Sequence, residues 1–159
     1  MADRNVADEL ALRELVTRYA DAVCRRDAAA WGDTWAAEGE WQIAGQVVRG
    51  RDQIVAFWER LMASIPQVVQ IPHEGLIAID GEHASLRWYV TEQGKLADGS
   101  PLIVTGCYFD DCVKQDGAWR FARRIFHAFY SGPPDLSADF HPLPAELDQP
   151  LEPATASAD

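Results

Sequence analysis

Apolar residues recur at steps of three and four from Ala7 to Asp27. Leu12, Leu15, Val16, Tyr19, Ala20, Val23 and Cys24 fall on one broad stripe, which predicts a long amphipathic helix. Asn5 and Asp8 stand at capping-box spacing before it, and Arg25 and Arg26 suit its C-terminal dipole. Asp27 predicts the N-cap of a short second helix, with Trp31 and Trp35 one turn apart and Gly39 as its end. Glu40–Ile43 and Gln46–Val48 then read as a small hairpin around Ala44-Gly45. Asp52–Met62 predicts a third helix, with Ile54, Phe57, Trp58 and Leu61 on one stripe and Pro66 beyond it.

From Val68 the period changes to two. Val69, Ile71, His73, Gly75, Ile77 and Ile79 form one face of a strand, and Ala84, Leu86, Trp88, Val90 and Glu92 form one face of the next. Leu102–Lys114 and Ala118–Tyr130 are two further strands. Asp80-Gly81, Asp98-Gly99 and Asp116-Gly117 supply the hairpin turns between the four. Strands of this length must twist and coil. The expected fold is α+β: three N-terminal helices packed on a strongly curved, mostly antiparallel sheet, a cone whose open end is a pocket. The expected organisation is one domain over 1–132 and a Pro-rich acidic tail over 133–159. Leu136, Phe140, Leu143 and Leu147 could anchor that tail, and about its last ten residues are expected to be disordered.

Composition narrows the classes. A chain of 159 residues with 48% hydrophobic content and six Trp can bury one real core. No apolar run reaches the roughly 20 residues of a membrane span, and the start shows no secretory signal. Three Cys without CxxC spacing read as free thiols in a reducing cytoplasm. The net charge of −11 argues against a nucleic-acid partner. Six acids and no Lys or Arg lie from Pro133 onward, so the tail carries −6 and the body −5. Metal-ligand spacings, GxGxxG, P-loop and GxSxG motifs are all absent, and a site without metal or cofactor is the economical reading.

Four residues stand out as candidate chemistry. His73 sits mid-strand on the face with Val69, Ile71, Ile77 and Ile79, where an imidazole needs a partner and could serve as a general base. A core histidine bonded to a carbonyl explains the position equally well. Glu92 could orient His73 or act as a second acid/base, or could mark the point where its strand meets water. Tyr19 could donate to a developing oxyanion, and Cys24 could pair with His73 as a thiolate; both could equally be helix core. The two lie ~140° apart on the helix, so they could flank a cavity. Trp41, Trp58, Trp88, Tyr108 and Phe126 are candidate walls for a hydrophobic slot. Arg123 or Arg124 could hold a substrate carboxylate or phenolate, or both could simply pair with Asp110 and Asp111 across strands.

LRELVTRYADAVCRRD, GRDQIVAFW, IPHEGLIAIDGEHASLRWYV and GCYFDDCVKQDGAWRFARRIF, in this order, resemble the SnoaL-like group of the nuclear transport factor two-like superfamily over roughly Leu10–Gly132. The resemblance implies the same α+β cone. It also implies kinship with cofactor-free lyases such as scytalone dehydratase, bile acid dehydratase and hexachlorocyclohexane dehydrochlorinase, commonly trimers. In those enzymes the base is a histidine on the first long meander strand, a position on which His73 falls. Tyr19, Glu92 and Arg124 fall on or near their other functional positions. Where those lyases carry an aspartate that charges the histidine, this chain has Cys24, and a neutral thiol cannot stabilise an imidazolium as a carboxylate does.

The expected function is a cofactor-independent lyase of dehydratase or elimination type, acting by histidine-mediated proton transfer on a small hydrophobic cyclic substrate. Isomerase or polyketide cyclase chemistry would use the same groups. A non-catalytic ligand-binding protein is the alternative, and thiol chemistry at Cys24 is a third reading. The expected setting is a cytoplasmic homo-oligomer, trimer or dimer, with neither nucleic-acid nor membrane partners.

Overall fold

The computed structural model describes residues 5–154. Helix α1 spans Val6–Arg25, α2 Ala28–Gly32 and α3 Arg51–Ser64. Strands are β1 Trp35–Ile43, β2 Gln46–Arg49, β3 Gln67–Asp80, β4 His83–Lys95, β5 Pro101–Gln115 and β6 Ala118–Gly132. A 3-10 turn, Ala145–Asp148, lies in the C-terminal segment. One six-stranded sheet runs in the order β2-β1-β6-β5-β4-β3. Its β1–β6 pair is parallel and its other pairs are antiparallel. The sheet curves without closing, and the three helices cover its concave face, so the α+β cone is the observed architecture.

Local chemistry sets the element ends. Asn5 caps α1 by accepting from the Asp8 amide at 3.2 Å, and Arg26 ends it in the left-handed region at φ 57°. Asp27 caps α2 by accepting from the Ala30 amide at 2.9 Å. Contrary to the helical reading of Trp35, α2 stops at Gly32 and Trp35 opens β1. The Phe121 amide donates to the Thr34 carbonyl at 2.9 Å, which draws the chain into the sheet beside β6. Trp31 and Trp35 still share one buried cluster, with ring centroids 5.6 Å apart. Trp31 also stacks on Trp58 of α3 at 4.8 Å, and Tyr19 of α1 packs among Trp31, Trp35, Tyr108 and Phe121. These rings are the centre of the core.

The narrow end of the cone is held by Asp8. Its Oδ1 accepts from Lys114 Nζ at 2.7 Å and from Trp119 Nε1 at 2.8 Å, which ties the first turn of α1 to β5 and β6. The C-terminal segment crosses the opposite, convex face. The Tyr130 hydroxyl donates to the Pro133 carbonyl at 2.7 Å, and the Tyr130 ring packs on Phe140 at 4.9 Å. Farther on, the Arg87 guanidinium donates to the carbonyls of Glu146 and Gln149 at 2.9 and 2.6 Å. An arginine of β4 therefore secures this segment, while Leu136 and Leu143 are exposed. The expectation of disorder for the last ten residues falls partly on 155–159, outside the described residues.

Candidate active site

The open end of the cone holds a cavity of about 540 Å³. Its apolar walls come from α3 (Trp58, Leu61, Met62), from Trp41 of β1 and from Val104 and Phe126 of β5 and β6. Its polar groups gather on the wall between α1 and the inner faces of β3, β4 and β5: Tyr19, Gln70, Glu92 and Tyr108. Ser131 and His141 contribute at the rim from the end of β6 and the segment beyond it.

Glu92 is the acid of this wall. Burial raises its pKa above the ordinary glutamate value; the Gln70 amide and the Arg124 charge offset part of that rise. Gln70 Nε2 donates to Glu92 Oε1 at 2.5 Å, so one carboxyl oxygen is held and the group has a fixed direction. Gln70 is itself only 6% exposed and faces the cavity. Its main chain is fixed at the sheet edge: the Gln70 amide donates to Cys24 Sγ at 3.3 Å, and the thiol lies 3.6 Å from the Gln70 carbonyl. Burial pushes the Tyr19 phenol up to about 12, with Arg124 and Tyr108 opposing, so Tyr19 is a neutral donor at working pH.

Beneath this wall lies a buried ion pair. Arg124 Nε and Nη2 donate to the two oxygens of Asp110 at 2.8 and 3.1 Å. The guanidinium sits 3.7 Å from the Tyr108 ring centroid, 4.0 Å from Phe121 and 4.2 Å from Tyr19. Burial raises the Asp110 pKa to about 6 despite the arginine. For Arg124, burial works against the charge, but Asp110 and the two phenols outweigh it and hold the guanidinium protonated.

A SnoaL-like domain model matches residues 4–125. The chain belongs to the SnoaL-like family. Its fold is shared by solved structures of low identity. A candidate scytalone dehydratase from Novosphingobium aromaticivorans superposes with a TM-score of 0.76 at 20% identity, covering 83% of this chain and 91% of that one. A type 2 hexachlorocyclohexane dehydrochlorinase gives 0.76 at 17% identity, covering 88% and 95%. A protein of unknown function from Mycobacterium tuberculosis gives 0.72 at 25% identity, covering 78% and 77%. No sequence among curated proteins matches significantly.

In this SnoaL-like protein, Tyr19, Glu92, Trp41, Trp58, Tyr108 and Phe126 line the cavity. Four other residues that the sequence singled out do not. His73 is exposed on the outer face, with Nε2 2.8 Å from Thr91 Oγ1. Its expected burial among aliphatics is therefore corrected: Val69 and Ile71 on that face are 52% and 40% exposed. Cys24 is exposed at the sheet edge and bonded to the Gln70 backbone, so it neither pairs with His73 nor looks into the cavity. Trp88 is buried deeper, below Arg13 and against Gly75. Arg124 lies under the wall, held by Asp110.

A β-bulge explains the His73 misplacement. Asp80 pairs His83 across the turn, and the register holds back to Gly75 opposite Trp88. Continued unbroken, it would set Ile71 opposite Glu92 and His73 opposite Val90. Instead Pro72 faces Val90, and His73 and Glu74 together oppose Tyr89. Every residue before the bulge changes face, so Gln70 meets Glu92 and points inward. Gly75 enables the shift, since a Cβ there would stand 2.3 Å from the Trp88 ring. Gln70 was missed for this reason. The available signal was Pro72 and Gly75 flanking two polar residues in an otherwise regular strand.

Among the described residues no cluster of three or more His, Cys, Asp or Glu side chains could hold a metal ion. Nor is any helix among them long and apolar enough to cross a membrane.

Proposed function

We propose that this protein is a cofactor-independent lyase that works by proton transfer in the cone cavity on a hydrophobic cyclic small molecule. The observation that carries this reading is Glu92: a single carboxyl in an apolar cavity, with its pKa raised by burial and one oxygen held by Gln70. Glu92 takes the place that the sequence reading gave to His73. Its free oxygen removes a proton beside a substrate carbonyl, and the C–H electron pair forms the new double bond. Tyr19 donates a hydrogen bond to the carbonyl oxygen as negative charge develops there. The proton held by Glu92 then passes to the departing hydroxyl, which leaves as water, and the carboxylate is restored. Isomerisation would use the same two groups, with the proton returned to another carbon. The scytalone dehydratase and dehydrochlorinase names of the structural neighbours are compatible with an elimination. The proposed setting remains a homo-oligomer in the cytoplasm.

The test is solvent-deuterium exchange and water elimination on a panel of cyclic β-hydroxy ketones. Wild type should exchange the α-proton and release the enone. Glu92→Gln should lose both, and His73→Ala should retain both. Loss of activity in His73→Ala with Glu92→Gln unaffected would return the role to the histidine. A second reading, a ligand-binding protein without chemistry, is favoured by the position of His73 outside the cavity, where Gln70 is the polar residue that β3 turns inward. Ligand recovered intact from every incubation would select it.

A further inference from the structure

We infer that the ligand of this cavity is an uncharged ring system with a hydroxyl or carbonyl on one edge, and that its carboxylated or phosphorylated counterparts are rejected. The inference deepens the reading above by naming the substrate class, and it rests on the same cavity being the working site.

The cation inventory supports it. Among the described residues, no Lys or Arg lines the cavity. The buried guanidinium nearest the polar wall belongs to Arg124. It is 1% exposed, held by both oxygens of Asp110 and enclosed by the rings of Tyr19, Tyr108 and Phe121. Its Nη1 is buried without a hydrogen-bond partner, but Arg124 is not on the cavity lining, so an anion in the cavity would have to pass the covering rings to reach it. Arg26 lies outside the wall, and its guanidinium is taken up by the carbonyls of Met62 and Ile65 at 2.6 and 2.8 Å. Arg123 pairs with Glu40 and Asp111. Among the described residues, Glu92 is the only Asp or Glu on the cavity lining.

Two imidazoles, His127 and His141, also line the cavity. The ring of His127 packs edge-on against Phe109, with centroids 5.4 Å apart. His141 is exposed and sits two residues after Asp139, in a segment that carries acids and neither Lys nor Arg. An anionic ligand would thus give up its hydration with no Lys or Arg on the described lining to meet it, and would face Glu92. A neutral ligand meets what it needs. Tyr19, Tyr108, Gln70 and Glu92 offer donors and an acceptor on one wall, and Trp41, Trp58, Leu61 and Phe126 offer apolar surface on the others.

The experiment is calorimetric titration of the full chain, near neutral pH, with 2-naphthol, 2-acetylnaphthalene and 2-naphthoate. These share one ring system and differ in charge. The neutral pair should bind at least tenfold more tightly than the carboxylate. Glu92→Gln should narrow that gap by strengthening naphthoate binding. Equal or tighter binding of naphthoate by wild type overturns the inference, as does binding of none of the three. Either failure concerns recognition alone, because the proton-transfer reading is decided separately by deuterium exchange on the β-hydroxy ketones.

Discussion

Asp8 at the narrow end of the cone and Glu92 at the open end are both carboxyls tucked into the same fold, and they end in opposite states. Asp8 is met by three donors, Lys114, Trp119 and Asn5, and these hold its pKa below the ordinary aspartate value. Glu92 is met by one neutral amide and an apolar cavity, and burial moves its pKa up. The first is satisfied as an anion and stabilises the fold. In the second, burial disfavours the charged form, at some cost in stability. A carboxyl becomes a strut or a reagent according to how many donors the fold turns toward it.

The largest effect that could break this contrast is on turnover. Glu92→Gln should lower the elimination rate by about 10²–10⁴-fold, the usual worth of a positioned acid or base. The same variant should be more heat-stable than wild type at alkaline pH. The sign follows from linkage: a carboxyl whose folded pKa is raised contributes stability at low pH and loses it as pH rises through the folded value. Asp110, raised to about 6, acts in the same direction, so wild-type stability should fall as pH rises from about 4 to above 6. Thermal melts of both proteins from about pH 4 into the alkaline range check both statements; a variant less stable than wild type at alkaline pH would contradict the assignment of Glu92.

Next comes the ion pair between the two ends. Arg124→Met leaves Asp110 buried and unpaired and should cost about 3–5 kcal/mol in chemical denaturation. Asp110→Asn in the same background should recover part of that loss. A smaller effect belongs to the narrow end. Asp8→Ala removes the acceptor of the Trp119 indole N–H and should cost about 1–3 kcal/mol near neutral pH. That loss should shrink in acid, because a carboxylate with a depressed pKa contributes stability only above it. The smallest effect is expected at His73, which is exposed with Thr91 as its side-chain partner. His73→Ala should move stability by no more than about 0.5 kcal/mol and leave turnover unchanged.

Much of the fold was legible because its signals are local. The stripe of α1, the caps at Asn5 and Asp27, and the Asp-Gly turns act within a few residues and needed no partner. The walls Trp41, Trp58, Tyr108 and Phe126, and the polar residues Tyr19 and Glu92, were named from the faces of regular elements, and they line the cavity. The misplaced residues share one cause. His73 was assigned by counting in twos from a correct turn, and the count fails at the bulge. Gln70 was hidden by the same slip. Cys24 was placed on the core stripe, but at the last turn of α1 that stripe runs out over the edge of β3, where the thiol meets backbone.

The sequence by itself determined most of the elements, the α+β class and six of the residues that line the cavity, because periodicity, caps and turns are written in neighbouring residues. Only the tertiary structure decided which side chain stands beside Glu92, where Arg124 spends its charge and which carboxyl is short of donors. Those outcomes depend on a one-residue insertion in strand pairing and on burial by distant elements. One inserted residue reverses every side chain before it, and burial sets a pKa through atoms that no spacing along the chain reveals.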